Sequence, residues 1–323
     1  MRKLRELVLD ITNKCPMRCL HCSASSTPLL NKFISYEKAA DVIKDAVDLG
    51  LEIISFTGGE PLVHPGLKDM VRLACSLGVK DIRIFTSGLR YVEKHVLPLD
   101  IQTVKDLAEA GVKKVFFNLQ GASAKTHESI TLTSGSFDAV IAGTSLCKDA
   151  GLYVGFHFVP MKMNWRELDA VVSLAKRLDV DEVGVLKFVP QGRGFHNRSI
   201  LELDNGEFQA FLKLAASLIR NDGKPVIRLG CPFNSIARLL PGWVQKRCPA
   251  ASEMCHVLIS GAVAPCSAFK YQDVMKGGNI YTERLSQIWL KGFPVFESER
   301  LKLSAEYSCT AQELLAKKLY AVI

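Results

Sequence analysis

Six short runs rich in Val, Ile and Phe recur between residues 6 and 189, most of them followed by a helix-forming stretch. That alternation constrains the fold more than any other feature of the chain. The runs are Glu6–Thr12, Glu52–Thr57, Asp81–Thr86, Lys114–Leu119, Tyr153–Val159 and Glu182–Val189. Each is short and apolar enough to be a parallel strand covered on both faces. Between them, Ser35 is placed to cap a helix running to Leu49, with Ala39, Ile43, Ala46 and Val47 on one apolar face and Gly50 at its end. Further helices are expected near 66–77, 102–110, 137–150, 165–178 and 207–220. Alternation of this kind predicts a parallel barrel or a doubly wound sheet. A doubly wound sheet gathers its unusual residues at one switch point, whereas here they follow most of the strand ends. The expected fold is therefore α/β, a partial parallel (β/α)6 barrel over residues 1–222.

After residue 223 Gly and Pro become frequent, helices shorten, and five of the chain's ten cysteines appear: Cys231, Cys248, Cys255, Cys266 and Cys309. A small cysteine-rich α+β module over 223–323, held together by metal, is the expectation. The chain has 323 residues, 48% of them hydrophobic, enough for a sizeable core. Its net charge of +8 is scattered rather than gathered into basic runs, so nucleic acid is not the expected partner. The N-terminus carries Glu6 and Asp10 in place of a signal-peptide core. The weakly polar run 257–269 is too short and too broken to span a bilayer. A cytoplasmic protein without membrane contact is expected, and cysteines in that compartment point to metal or redox chemistry.

Cys15, Cys19 and Cys22 place three thiols within eight residues, directly after the first strand. Three thiolates on one tight loop can hold an iron–sulfur cluster and leave one iron open to an outside ligand. The alternative is a zinc site completed by His21, although adjacent His21 and Cys22 are poorly placed to share a tetrahedral ion. Gly58-Gly59-Glu60-Pro61 follows the second strand. A loop of this type exposes backbone carbonyls and offers an anionic acceptor to an ammonium group.

The spacing of Cys15, Cys19 and Cys22, its context Leu9-Asp10-Ile11-Thr12-Asn13-Lys14, and the Gly58–Pro61 motif together resemble the radical S-adenosylmethionine (SAM) superfamily. The resemblance covers about two thirds of the chain. It implies that the three cysteines hold a [4Fe–4S] cluster whose open iron binds the methionine part of S-adenosylmethionine. It further implies that His21 lies near the adenine and that Gly58–Pro61 holds the methionine amino group. By the same resemblance Thr86, Ser87 and Gly88 are expected near the cofactor, and Asn118 and Gln120 at the ribose hydroxyls. Many relatives carry an arginine before a Gly-Ser-Phe like Gly135-Ser136-Phe137, but here Thr131 stands there. Arg193 is the substitute considered for the methionine carboxylate.

The second cysteine set resembles the twitch/SPASM region that binds an auxiliary cluster, with Cys248, Cys255, Cys266 and Cys309 as candidate ligands. Gln312 stands where many relatives carry the last cysteine, so either Cys255 or Cys231 completes the cluster or a substrate binds an open iron, and a cysteine not used as a ligand is a candidate hydrogen donor. Structural zinc is the alternative. Residues 256–264 read as a hairpin turning at Ser260-Gly261. Cys75 and Cys147 read as buried small hydrophobes.

The activity implied is reductive cleavage of S-adenosylmethionine to a 5′-deoxyadenosyl radical and hydrogen abstraction from a substrate, with a flavodoxin or ferredoxin as reductant. The expected substrate is a ribosomally made peptide, or alternatively a small-molecule or tetrapyrrole precursor. The chain begins at its first strand, without the N-terminal peptide-recognition domain of many peptide maturases, which weakens the peptide reading. A non-catalytic iron–sulfur carrier is the reading from a different class.

Overall fold

Ser35 caps the first helix as expected: its Oγ accepts from Lys38 N at 3.2 Å. The computed structural model describes residues 2–92, 95–219, 223–230, 236, 239–240, 247–303, 309–311 and 314. Its first half alternates β1 (Glu6–Thr12), α1 (Tyr36–Asp48), β2 (Ile53–Gly58), α2 (Leu67–Ser76) and β3 (Asp81–Thr86). A hairpin, β4 (Leu89–Val92) and β5 (His95–Pro98), precedes α3 (Ile101–Ala110) and was not foreseen. Then come β6 (Lys114–Asn118), α4 (Ala124–Thr131), α5 (Ser136–Asp149), β7 (Tyr153–Phe158), α6 (Leu168–Arg177) and β8 (Glu182–Val185). Two single turns, α7 (Arg193–His196) and α8 (Arg198–Leu201), lead to α9 (Asn205–Ile219) and β9 (Val226–Leu229). The chain continues through β10 (Met254–Val257), β11 (Ala262–Ala264), β12 (Gly278–Asn279), α10 (Leu285–Lys291) and α11 (Pro294–Leu301).

All six expected strands pair in parallel, and the sheet gains one strand at one side and three at the other. Its order is β12-β11-β10-β1-β2-β3-β6-β7-β8-β9, with β9 parallel to β8 and β10 parallel to β1. The sheet therefore runs through the expected boundary at residue 222. Beyond it lie a barrel strand, β9, and a strand, β10, laid against the first. Sequence pattern missed β9 and the pairing of β10 with β1, because each strand is four residues long, too short to show a period. The expected hairpin is present as β10 and β11, with Gly261 N donating to Leu258 O at 2.8 Å.

The sheet curls. Glu6 on β1 feels the charge of Arg228 on β9 although six strand steps separate them. A flat sheet would hold them roughly 29 Å apart. One strand face packs against the helices: Leu7, Leu9, Ile54, Ile82, Ile84 and Val154 are fully buried. Cys147 on α5 belongs to that core. Cys75 does not: it ends α2 as an exposed thiol packed against Gly111, which corrects the sequence reading.

The C-terminal elements dock on α1 through polar contacts. The buried Asp45 carboxylate accepts from the Arg284 guanidinium and from Ser286 N and Oγ, each of the latter at 3.2 Å. Trp289 Nε1 donates to Arg2 O at 2.9 Å.

Candidate functional site

β1 delivers the chain directly into the cysteine loop, and the loop after β2 lies flush on it. Gly59 N donates to Thr12 O at 2.6 Å and Glu60 N to Lys14 O at 2.8 Å. The approach is close enough that a Cβ on Gly58 would fall on Thr12 O, and one on Gly59 on Lys14 O. Gly58 also sits at φ +122, where side chains are strained. The two glycines are thus required by contact with the backbone of Thr12 and Lys14, just ahead of Cys15.

Glu60 is buried, 1% exposed, and both its oxygens are occupied. Oε1 accepts from Thr86 Oγ1 at 2.7 Å and Leu62 N at 3.1 Å, while Oε2 accepts from Ser87 N at 2.6 Å and Ser87 Oγ at 2.5 Å. Burial pushes its pKa up against the lowering effect of those donors. Thr86 Oγ1 in turn accepts from Gly88 N at 2.9 Å. Pro61 opens a single 3₁₀ turn that Glu60 caps. Glu60, read from the sequence as an anionic acceptor for an ammonium group, already accepts four protein hydrogen bonds here, and its carboxylate locks the end of β3 to the end of β2.

The three thiols pack in one cluster with Met17, Leu89 and Ala139. Cys19 is buried, and Cys15 and Cys22 are half-buried. Burial first, then the neighbouring Cys19 thiol, Glu60 and Cys22, push the Cys15 thiol well above its usual range. Cys19 is raised likewise by burial and by Cys22. Thiols that oppose one another's ionisation in this way suit a metal cluster, because bound iron inverts the balance and deprotonates them. A tetrahedral zinc would need its sulfurs roughly 3.8 Å apart. Among the described residues no three His, Cys, Asp or Glu side chains converge on one ion. His21 is turned elsewhere. It hydrogen-bonds Asn118 at the end of β6, and burial lowers its pKa to about 4, leaving a neutral ring with a buried, unpartnered Nδ1.

Arg193 closes the loop from the far side of the barrel. Its Nε donates to Cys19 O at 2.8 Å and its Nη2 to Ser26 O at 2.9 Å. The sequence reading offered it to a cofactor carboxylate. The structure instead uses two of its three nitrogens to hold the cysteine loop. Thr131 Oγ1 pairs with Ser136 Oγ at 2.9 Å and supplies no charge. Gln120, expected at a ribose hydroxyl, is held by protein partners. It is fully buried, its Nε2 donates to Asn118 Oδ1 and His157 O, and its Oε1 accepts from Val159 N. It orients Asn118, which remains beside His21.

In the C-terminal region, Cys248 and Cys266 flank one loop cluster, where Ala251 N donates to Pro265 O at 3.3 Å and Arg300 approaches Cys248 Sγ at 3.9 Å. Buried Cys309 lies near Lys187, whose charge it influences. Cys255 is separate. On β10 its neighbour His256 faces Asp10, so Cys255 faces the opposite side, fully buried beside Arg2. Strand alternation thus turns the Cys255 thiol away from the face that carries Asp10 and His256. Cys231 and Gln312 lie outside the described residues.

Two features escaped sequence reasoning. The buried Asp10 accepts from His256 Nε2 at 2.8 Å, joining β1 to β10. His157 on β7 lies in register with Asn118, just under the site. A charged residue in an apolar strand was the available signal for Asp10; nothing local marked His157.

The family model described as Radical SAM superfamily matches residues 9–175, more than half of the chain. The iron–sulfur cluster-binding SPASM domain matches residues 248–310, from Cys248 to the residue after Cys309. The chain is similar to AdoMet-dependent heme synthase of Methanosarcina barkeri, 24% identical over 88% of this chain and 82% of that protein. It is similar to PqqA peptide cyclase of Rhizobium meliloti, 23% identical over 88% of this chain and 72% of that protein. Among solved structures it resembles Streptococcus suis SuiB bound to the precursor peptide SuiA. There the TM-score is 0.72 and the identity 17%, covering 90% of this chain and 65% of that one. The chain thus spans just under two thirds of SuiB's length.

Proposed function

The chain belongs to the radical SAM superfamily, and from that premise we propose that it modifies a ribosomally made peptide by hydrogen-atom abstraction. As an enzyme of this superfamily it uses S-adenosylmethionine and [4Fe–4S] clusters. When bound, the cluster supplies the electron that splits S-adenosylmethionine into methionine and the radical that takes the substrate's hydrogen. Cys15, Cys19 and Cys22 would hold it, and Cys248, Cys266 and Cys309 would contribute to the auxiliary one. The chain's own contribution is positional. Arg193 and the Gly58-Gly59 backbone set the cysteine loop, Glu60 sets Thr86 and Ser87, and the neutral His21 ring stands beside Asn118 for the adenine. Met17, Leu89 and Ala139, packed against the thiols, keep water from a reactive radical.

The observation that carries this reading is the convergence of three otherwise distant segments, 12–22, 58–61 and Arg193, on one thiol loop. The peptide assignment draws support from the likeness to a peptide-bound enzyme over 90% of the chain and to a peptide cyclase over 88%. The likeness to a heme synthase, over a similar span, supports a tetrapyrrole as the second reading.

Anaerobic reconstitution tests the first level, because each cubane carries about 4 iron. About 8 iron should fall to about 4 in a Cys15/Cys19/Cys22→Ala variant; zinc without iron would sink the assignment. The substrate is tested with a short cysteine- or glycine-rich peptide encoded beside this chain, deuterated at Cα and Cβ. Deuterium should appear in 5′-deoxyadenosine. Transfer from a deuterated tetrapyrrole and none from the peptide would establish the second reading.

A further inference from the structure

The interior of this barrel is polar. On β3, Asp81, Arg83 and Phe85 face the lumen and stay half-buried, while Ile82 and Ile84 between them are fully buried. Closed barrels of this class fill their interior with packed apolar layers. Here the lower lumen carries three acids and three bases, paired with one another. Arg83 meets Asp81 at 2.6 Å and Glu6 at 4.0 Å, Lys114 meets Asp81 at 3.0 Å, and Arg228 meets Glu182 at 2.5 Å. These fixed charges cancel.

What remains is a set of hydrogen-bonding atoms. Ser55 Oγ, Asp81 Oδ1, Arg83 Nε and His157 Nε2 are buried without a partner, and Ser55 is fully buried. Ser55 lies in register with Arg83, and His157 with Asn118, so these atoms line the space beneath the cofactor-binding loops. The His157 ring stacks on Phe116 at 4.8 Å and leans on Phe85 at 4.9 Å. Gly184 gives it room: a Cβ there would lie 2.9 Å from its Cδ2 and 3.0 Å from Arg228 Nη2. Burial, then Arg228 and Arg83, lower the His157 pKa to about 3, so the ring is neutral at working pH.

We propose that this lumen receives an uncharged polar part of the substrate, an amide or a hydroxyl, and that His157 is the residue that selects it. The proposal rests on the peptide reading above and names the group the peptide presents. A neutral imidazole can donate or accept according to tautomer, which matches an amide or a hydroxyl. A carboxylate or phosphate would add an uncompensated charge to a lumen whose own charges already cancel.

The test uses the reconstituted full chain with S-adenosylmethionine bound and the clusters oxidised, labelled with ¹⁵N-histidine. The probes are N-acetylserinamide and acetate at equal concentration. N-acetylserinamide should move the ring signal that is missing from His157→Phe, and acetate should not. His157→Phe should bind N-acetylserinamide about tenfold more weakly, the value of one hydrogen bond, while His157→Gln retains binding. A shift with acetate alone, no shift with either probe, or wild-type binding by His157→Phe would overturn the proposal. Should His157→Phe lose S-adenosylmethionine binding, Ser55→Ala replaces it, with weakened N-acetylserinamide binding expected and wild-type binding refuting. The peptide reading fails separately, when no deuterium reaches 5′-deoxyadenosine although the ring signal moves.

Discussion

The Asp10 carboxylate accepts from His256 Nε2 at 2.8 Å, both side chains buried, and this one contact crosses from the first strand to a strand 246 residues later. β1 therefore has barrel on one side and the C-terminal region on the other. Removing one partner of a buried pair leaves the other uncompensated. Asp10→Asn should cost about 3 kcal/mol in urea unfolding of the full chain. The Asp10→Asn/His256→Phe double variant should cost less than the sum of the singles. Additive losses would show the two side chains to be independent.

The same pair carries an acid dependence. Burial pushes the Asp10 carboxyl up, but His256, Lys270 and the backbone at Ile259 outweigh it and hold its pKa below 3.8. A carboxyl depressed in the folded state stabilises fully above its unfolded value of about 3.9 and loses that contribution as pH falls through the folded value. Urea midpoints measured from pH 6 to pH 3 should drop more steeply for the wild type than for Asp10→Asn. Parallel profiles would contradict this.

Glu60 meets donors at both oxygens, so Glu60→Gln sets an amide N–H₂ against either Ser87 N or Leu62 N. The expected loss is about 1–3 kcal/mol, together with weaker S-adenosylmethionine binding measured by calorimetry. Unchanged binding would restrict Glu60 to a purely architectural role.

Arg193 spans two carbonyls with one planar fork, which a lysine cannot reproduce. Arg193→Lys should leave the fold intact by circular dichroism yet release iron to a chelator more readily, by roughly tenfold in affinity. The effect belongs to the first cluster, so it should vanish in the background of the triple cysteine variant.

Cys255→Val should keep the full iron count, since that thiol faces the core beside Arg2. Cys248→Ala should lose the auxiliary cluster's share, about 4 iron. Loss of iron from Cys255→Val would return Cys255 to the ligand set.

Much of the fold could be read along the chain because its signals are local. β1 and β3 match the predicted runs residue for residue, and Ser35 caps α1, since period, capping and turn chemistry act within a few residues. The cysteine loop and the Gly58–Pro61 motif could be read for the same reason, each being contiguous. Gln120, Arg193 and Cys255 could not. Gln120 is occupied by Asn118 and by the β7 backbone, Arg193 by a loop 174 positions away, and Cys255 by its face on a strand too short to declare itself.

The sequence by itself determined the parallel α/β scaffold, the thiol triad and the family, all of which depend on spacing along the chain. Only the tertiary structure decided which polar side chains are already bound to the protein and which still face a ligand. That division depends on contacts across a curled sheet, where Glu6 meets the charge of Arg228 and Asp10 meets His256. A hydrogen bond is exhausted by its partner, wherever in the chain the partner lies, and no local pattern records that distance.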